Sequence, residues 1–359
     1  MKKGVYIHVP FCKGKCPYCD FYSITDLGLT EEYAAAVLRN LRLASIKPQS
    51  IDSVYFGGGT PSLLAPSSLQ EIINLLSVTD NAEVTIEVNP DDASLEYLRA
   101  VKGAGVNRLS FGVQSLIDGE LAFLGRRHNA RAACLAIEAA AKADFENIAA
   151  DIMLGLPGQS LESLSETISK LSALPIKSVS AYMLTIEPHT PFYMDLALQK
   201  AMPREDLTAD LYLHAVKMLA DRGFEQYEIS NFAVEGYECR HNLKYWSGGE
   251  YYGIGPTAHS CLDGVRAACK MSVREFIEAD VQEATALEKA GGFDETAMLA
   301  LRLTKTGLEL SEAPERKEKL LRTAEPFIKA GLIKQSGSAI MLTPKGCLVS
   351  NEIIVKLLY

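Results

Sequence analysis

The sequence predicts an α/β protein in which about six β-α units build a parallel sheet and a smaller α+β domain ends the chain. Three observations carry this. Short apolar, β-rich runs alternate with helical patterns up to about residue 230; the pattern changes near residue 236; and the residues suited to chemistry recur where a strand is expected to stop. Strands separated by helices of this length imply right-handed crossovers between parallel neighbours, as an incomplete barrel or an open sheet. In either arrangement, functional groups collect at the carboxyl ends of the strands.

GVYIHVP (4–10) reads as the first strand, and TEEYAAAVLRNLRLAS (30–45) as a helix capped by Thr30 with acids in its first turn. IDSVYFGG is a strand, followed by a helix after Pro66–Ser67. AEVTIEVNP is a strand stopped by Pro90, and SLEYLRAVKGAG a helix closed by glycine. VNRLSFGVQ, IAADIMLGLPG and SVSAYMLTIEP complete the six strands, with helices near 129–143, 161–173 and 205–222. These units make a first domain over 1–236. Glycines and aromatics crowd 236–256, short helices follow in SVREFIEAD and FDETAMLALRLTK, and AGLIKQSGSAIMLTPKGCLVSNEIIVKLL reads as two strands and a last helix. Residues 237–359 are therefore expected to form a small second domain of winged-helix type.

The chain has 359 residues, enough for a large core, and a net charge of −9 that argues against a general nucleic-acid or anionic-membrane surface. The acidic balance favours a packing or substrate-covering role for the winged-helix-like end over DNA binding. No stretch approaches the roughly 18–20 apolar residues that span a bilayer. The MKKGVYIHVPFC start lacks a long apolar run or a cleavage site, so no integral membrane segment is expected. Of eight cysteines, three are clustered and five (Cys134, Cys239, Cys261, Cys269, Cys347) are scattered, the pattern of a reduced, cytoplasmic protein.

The clustered three are the sharpest signal. Cys12, Cys16 and Cys19 form C-x3-C-x2-C inside YIHVPFCKGKCPYCDFYS, just after the first strand. Soft thiolates this close suit zinc or an iron–sulfur cluster, and no cysteine or histidine follows within the next hundred residues to close a four-ligand zinc site. Three ligands on a [4Fe–4S] cluster leave one iron open to a cofactor or substrate. Tyr18 puts an aromatic ring beside the cluster, where it could stack on an adenine or shield the cluster from water. GGGTP (57–61) follows the second strand and offers backbone a ligand can approach, a plausible clamp for the amino-acid end of a cofactor. Glu87 near the end of the third strand could accept hydrogen bonds from ribose hydroxyls. Gln114 follows FGV, and Asp151 sits in an apolar strand where it needs partners that Arg126 or Arg127 could supply.

Taken in order, YIHVPFCKGKCPYCDF, GGGTP, the Glu87 strand, FGVQS, LGRRH and D-IMLGLPG resemble the radical S-adenosylmethionine enzymes, and within them the branch of oxygen-independent coproporphyrinogen III oxidase. The ending LTPKGCLVSNEII is similar to that branch too. The resemblance implies an incomplete (β/α)6 barrel and a [4Fe–4S] cluster on Cys12, Cys16 and Cys19, with S-adenosylmethionine chelating the open iron. It places Tyr6, Gly58, Gly59, Thr60, Glu87, Gln114, Arg126 and Asp151 at cofactor-contacting positions. It also implies an electron donor for the cluster and a dry interior for a 5′-deoxyadenosyl radical.

Two features separate the chain from the decarboxylase. Phe21 stands where the decarboxylase has a fourth cysteine, and with the first cysteine already at residue 12 the decarboxylase's amino-terminal extension is not expected. HNLKYW (241–246) matches the H-N-x-x-Y-W signature of the HemW-type haem chaperones. That likeness implies a carrier that binds haem and passes it to acceptors such as respiratory enzymes. His241 is the candidate ligand to haem iron, with Tyr245 and Trp246 against the porphyrin, and His259 is a second candidate. His128, His189 and His214 are expected to be structural or superficial. The rival expectation is oxidative decarboxylation of coproporphyrinogen III, with Arg126 pairing a substrate carboxylate. A third is radical chemistry on an unrelated substrate.

Overall fold

The computed structural model describes residues 2–44, 46–47, 49–312 and 314–359. Its first half is the expected alternation: β1 (Lys3–Val9), α1 (Thr30–Leu43), β2 (Ile51–Gly58), α2 (Pro66–Leu76), β3 (Glu83–Val88), α3 (Leu95–Gly103), β4 (Arg108–Gln114), α4 (Asp118–Phe123), α5 (Ala130–Lys142), β5 (Asn147–Leu154), α6 (Leu161–Ser172) and β6 (Ser178–Met183). Local signals set these ends. Pro66 opens α2, Asn129 accepts from the Ala132 amide at the start of α5, and Ser160 and Ser163 form a reciprocal capping box on α6. Thr30 does not cap α1 as expected. It is the helix's first residue, and its hydroxyl turns back to donate to the Leu27 carbonyl at 3.0 Å.

After β6 come α7 (Pro191–Met194), α8 (Leu196–Ala201), α9 (Glu205–Ala220), β7 (Glu225–Gln226), β8 (Asn231–Ala233) and α10 (Arg240–Trp246). Then β9 (Tyr251–Ile254), β10 (His259–Leu262), β11 (Val265–Cys269), α11 (Val273–Glu278) and β12 (Ala284–Lys289) follow. The chain ends with α12 (Phe293–Ala300), β13 (Leu308–Glu309), α13 (Pro314–Lys329), β14 (Ile333–Ser336), β15 (Ala339–Leu342), α14 (Pro344–Cys347) and α15 (Ser350–Leu358).

β1 to β6 pair in sequence order and all in parallel. β1 is flanked on its other side by β9, and β6 by β8, so β1 and β6 never meet and the six-unit barrel stays incomplete. The full sheet has 12 strands in the order β12-β11-β10-β9-β1-β2-β3-β4-β5-β6-β8-β7, and a separate antiparallel sheet holds β13-β15-β14. The expected boundary at 236/237 thus cuts across a continuous sheet. Residues 251–289 extend the barrel's sheet from β1, and only the strands within 308–342 stand apart.

The strands alternate strictly, as a period of two requires. Val5, Ile7 and Val9, Val54 and Phe56, Val84, Ile86 and Val88, and Leu109, Phe111 and Val113 pack into the apolar core with the helices. The other face is polar: Tyr6 and His8; Ser53 and Tyr55; Glu83, Thr85 and Glu87; Arg108 and Ser110; Asp151; Ser178 and Ser180. Tyr55 bonds Glu87, Arg108 bonds Ser178 and Ser110 bonds Asp151 across strands, so a polar, hydrogen-bonded interior channel joins the two ends of the barrel.

Candidate functional site

At the carboxyl end of β1 the chain enters the cysteine loop. The Cys12 amide donates to the Ile24 carbonyl (2.9 Å) and the Ile24 amide to the Pro10 carbonyl (2.8 Å), which closes the loop on itself. His8 holds it from below. Its Nε2–H donates to the Tyr22 carbonyl at 2.9 Å, which leaves Nδ1 to accept from the Tyr6 hydroxyl at 3.2 Å. Burial lowers the His8 pKa, consistent with that neutral tautomer. Lys13, from the loop, pairs with the carboxylate of Asp92.

Two glycines let β2 lie against this loop. Gly58 has φ +110°, and a Cβ there would stand 2.7 Å from the His8 ring. At Gly59 a Cβ would come within 2.7 Å of the Phe11 carbonyl oxygen, and its amide donates to the Val9 carbonyl at 2.8 Å. GGGTP was expected as a ligand clamp. Here the Gly58 and Gly59 amides already serve Glu87 and Val9, and what requires glycine is close packing on β1 and the loop.

Cys12, Cys16 and Cys19 are free thiols, partly exposed, on that one loop. Thr60 Oγ1 donates to Cys12 Sγ and Arg126 Nη1 to Cys16 Sγ, both at 3.5 Å. Asn89 joins the two donors: its Nδ2 donates to Thr60 Oγ1 at 3.1 Å, and its Oδ1 accepts from Arg126 Nη2 at 2.5 Å. Burial pushes the Cys19 thiol up, and the neighbouring Cys16 and Cys12 add to the rise. Tyr18 packs against Phe192, with ring centroids 6.2 Å apart, beside Arg126 and Cys16.

Deeper in the channel, Glu87 accepts from the Tyr55 hydroxyl (2.9 Å) and the Gly58 amide (3.2 Å). Burial, and next the charge of Asp151, push its carboxyl up to about 7. Asp151 is also raised by burial. Its partners are not those expected. Ser110 donates to it at 3.4 Å and Ser180 also bonds it, Arg108 supplies the larger positive field and Arg126 a smaller one. Arg127 instead pairs with Asp91 at 2.5 Å, at the surface. Gln114 ends β4 with φ +68°, where the β4–β5 register slips, and this bulge re-aims its side chain. Tyr6, Glu87, Gln114, Arg126 and Asp151 are thus gathered along one channel with Gly58, Gly59 and Thr60 at its rim.

HNLKYW lies at the other end. It forms α10, which sits under the amino-terminal ends of the strands. The backbone amides of Arg240 and His241 donate to Glu83, at the first residue of β3, at 3.2 and 3.1 Å. His241 is 0% exposed. Its Nδ1 bonds Ser53 Oγ at 3.0 Å, its Nε2 bonds the Tyr245 hydroxyl at 2.9 Å, and its ring stacks on Tyr55 at 5.4 Å. Burial drives its pKa down to about 3. Both ring nitrogens of His241 are thus engaged, so ligation of haem iron, the expected role, requires the bond to Ser53 or to Tyr245 to be given up. Trp246 lies under the Arg302 guanidinium, 4.5 Å from the ring centroid. Cys239 is a buried thiol pushed up to about 12 by burial. His259 is exposed on β10. His128 donates to the Val113 carbonyl and His214 bonds Ser165, both structural, and His189 is exposed.

Sequence reasoning missed Asn89, Tyr55, Ser53, Glu83 and Arg108. Asn89 stood at the end of a strand read as stopped by Pro90; the others were ordinary members of alternating strands.

Residues 6–171 match the family model described as the radical SAM superfamily. The heme chaperone HemW of Bacillus subtilis is 35% identical over 98% of this chain and 98% of its own length. The chain belongs to the HemW family. The heme chaperone HemW of Synechocystis is 34% identical over 91% of the chain and 85% of that relative. In fold, the chain is similar to the coproporphyrinogen III oxidase HemN of Escherichia coli, a radical SAM enzyme, with TM-score 0.78, 20% identity, and coverage of 99% of this chain and 90% of that one.

A radical SAM fold implies a [4Fe–4S] cluster and S-adenosylmethionine, and the residues fit them. Among the described residues no three His, Cys, Asp or Glu side chains are gathered to hold a single ion. A cluster asks for something else, one thiolate at each of three irons, and this HemW-family loop offers three free thiols with hydrogen-bond donors already on two of the sulfurs. Arg126 Nε, buried without a partner, is a donor left over beside the loop. No helix among the described residues is long and apolar enough to cross a membrane.

Proposed function

We propose that this protein is a cytoplasmic haem chaperone built on a radical SAM core. The cluster sits on Cys12, Cys16 and Cys19. S-adenosylmethionine lies in the channel mouth formed by Tyr6, Gly58, Gly59, Thr60, Glu87, Gln114, Arg126 and Asp151, with Tyr18 alongside. Bound there, the pair supplies one-electron chemistry once an electron donor has reduced the cluster. The chain's own residues do the rest: Arg126 and Thr60 hold the thiolates, Glu87 is aimed by Tyr55 and Gly58, and the packed floor excludes water from below. Haem is bound, with His241 as the candidate ligand once it gives up a bond to Ser53 or Tyr245, and is passed to acceptor proteins such as respiratory enzymes.

The observation that carries the reading is the likeness to curated haem chaperones along essentially the whole of both chains. Phe21 supports it, being 64% exposed where a fourth cysteine would be needed for the decarboxylase motif. Haem titration followed by transfer to a haem-free acceptor tests it. Saturable binding with transfer is the expected result, and no binding sinks the reading. Anaerobic incubation with reductant, S-adenosylmethionine and coproporphyrinogen III tests the decarboxylase alternative. A vinyl product with stoichiometric 5′-deoxyadenosine would overturn the chaperone reading.

A further inference from the structure

The H-N-x-x-Y-W helix and the cofactor channel share a wall of aromatic rings. The His241 ring stacks on Tyr55 at 5.4 Å and on Tyr6 at 6.4 Å, each tilted by 29°. Tyr6 and Tyr55 in turn stack on each other at 6.2 Å. Beyond them, the Tyr55 hydroxyl donates to Glu87 and the Tyr6 hydroxyl to His8, the residue that holds the cysteine loop. His241 itself is held in place: Ser53 and Tyr245 bond its two nitrogens, Glu83 bonds its backbone, and Gly4 leaves only 3.0 Å between a would-be Cβ and its Cε1. A ring pinned at three points and stacked on a tyrosine restricts that tyrosine to one rotamer.

We infer that His241 is a positioning residue for the S-adenosylmethionine site: it locks Tyr55 so that the tyrosine hydroxyl stays on Glu87. The inference rests on the reading of Glu87 as a cofactor contact. It assigns to the signature histidine a role in the channel floor. Ser53 and Tyr245 act one step further back, by holding the histidine.

The test is S-adenosylmethionine affinity of the cluster-loaded protein, by equilibrium dialysis, for Glu87→Gln, Tyr55→Phe, Tyr245→Phe, Ser53→Ala and the double variant Tyr55→Phe/Tyr245→Phe. Tyr55→Phe is expected to weaken binding about tenfold, the worth of one hydrogen bond to a charged group. Tyr245→Phe and Ser53→Ala should each weaken it by a smaller factor. The double variant should bind no worse than Tyr55→Phe alone, because the floor acts through that hydroxyl. A general loosening of the fold would not produce that non-additivity. Unchanged affinity in Tyr245→Phe, or effects of the two substitutions that multiply in full, would overturn the inference. Unchanged affinity in Glu87→Gln would instead overturn the placement of the cofactor on Glu87, and the inference with it. His241→Gln, whose amide can bond both hydroxyls but brings no ring to stack on Tyr55, should recover little of the affinity lost in His241→Ala, and full recovery would overturn the inference.

Discussion

Replacing Asn89 by Ala removes the brace between two of the three cluster cysteines. Asn89 receives Arg126 Nη2 and gives a hydrogen bond to Thr60, while Arg126 and Thr60 reach Cys16 and Cys12. The guanidinium bond is worth about 2 kcal/mol and the neutral one about 1 kcal/mol, so Asn89→Ala should cost about 3 kcal/mol. In a chain of this size that is a fall of about 4 °C in thermal midpoint. Arg126 keeps the Gly112 carbonyl at 2.8 Å, so the loop loosens without collapsing. Asn89→Asp separates the two arms. It keeps an acceptor for Arg126 but has no donor for Thr60, so it should lose only about 1 kcal/mol. Hydrogen bonds to cluster sulfurs raise the reduction potential, so both variants should shift it downward if Thr60 turns away from Cys12. Calorimetry, iron and sulfide content after anaerobic reconstitution, and potentiometry read these effects. An Asn89→Ala protein with the midpoint, cluster content and potential of the parent would refute the brace.

Glu87→Gln should flatten part of the pH dependence of stability. The folded carboxyl titrates near 7 against an ordinary 4.5, so between those values the folded state holds a proton that the unfolded chain has released. Stability therefore falls as pH rises through that window, by up to about 3 kcal/mol from this group, and urea unfolding at pH 5 and pH 8 should show the fall in the parent but much less in Glu87→Gln. Arg302→Ala should remove about 1 kcal/mol of stability and shift the emission of Trp246, the chain's single tryptophan, with Arg302→Lys intermediate; unchanged emission would deny the stack.

The six β-α units were legible because their signal is local: apolar residues two apart in strands, proline and serine at helix starts, glycine at their ends. The mouth was legible for the same reason, since Gly58, Glu87, Gln114 and Asp151 each mark a strand's later half and Cys12 the loop just after one. The sheet beyond residue 250 was not. β9 is a strand because Gly4 and Tyr6 of β1 present an open edge to Tyr251 and Gly253, a pairing across most of the chain that no window of sequence contains. β12 has six exposed residues and no alternation to read. Asn89 was hidden by position, because its work is done by a side chain that meets Thr60 and Arg126, each more than 25 residues away. The surroundings of His241 were not legible, for a chemical reason. Imidazole beside aromatics suits a metal porphyrin, but it suits a buried stack equally, and only the partners of its two nitrogens decide.

Those partners also couple the two ends of the barrel. The floor and the mouth are the two ends of the same strands, about 16 Å apart along β1 from Gly4 to Val9 at roughly 3.3 Å per residue. A ligand that drew His241 off the floor would break its bonds to Ser53 and Tyr245 and its stack on Tyr55, at a cost of about 3 kcal/mol. It would also release Tyr55 from Glu87 and so weaken the cofactor at the mouth. Linkage makes that relation symmetrical: whatever factor the floor ligand removes from S-adenosylmethionine affinity, the cofactor removes from the affinity of that ligand. Occupancy of the mouth would then set how firmly the floor stays shut. Neither end needs a covalent step for the other to feel it.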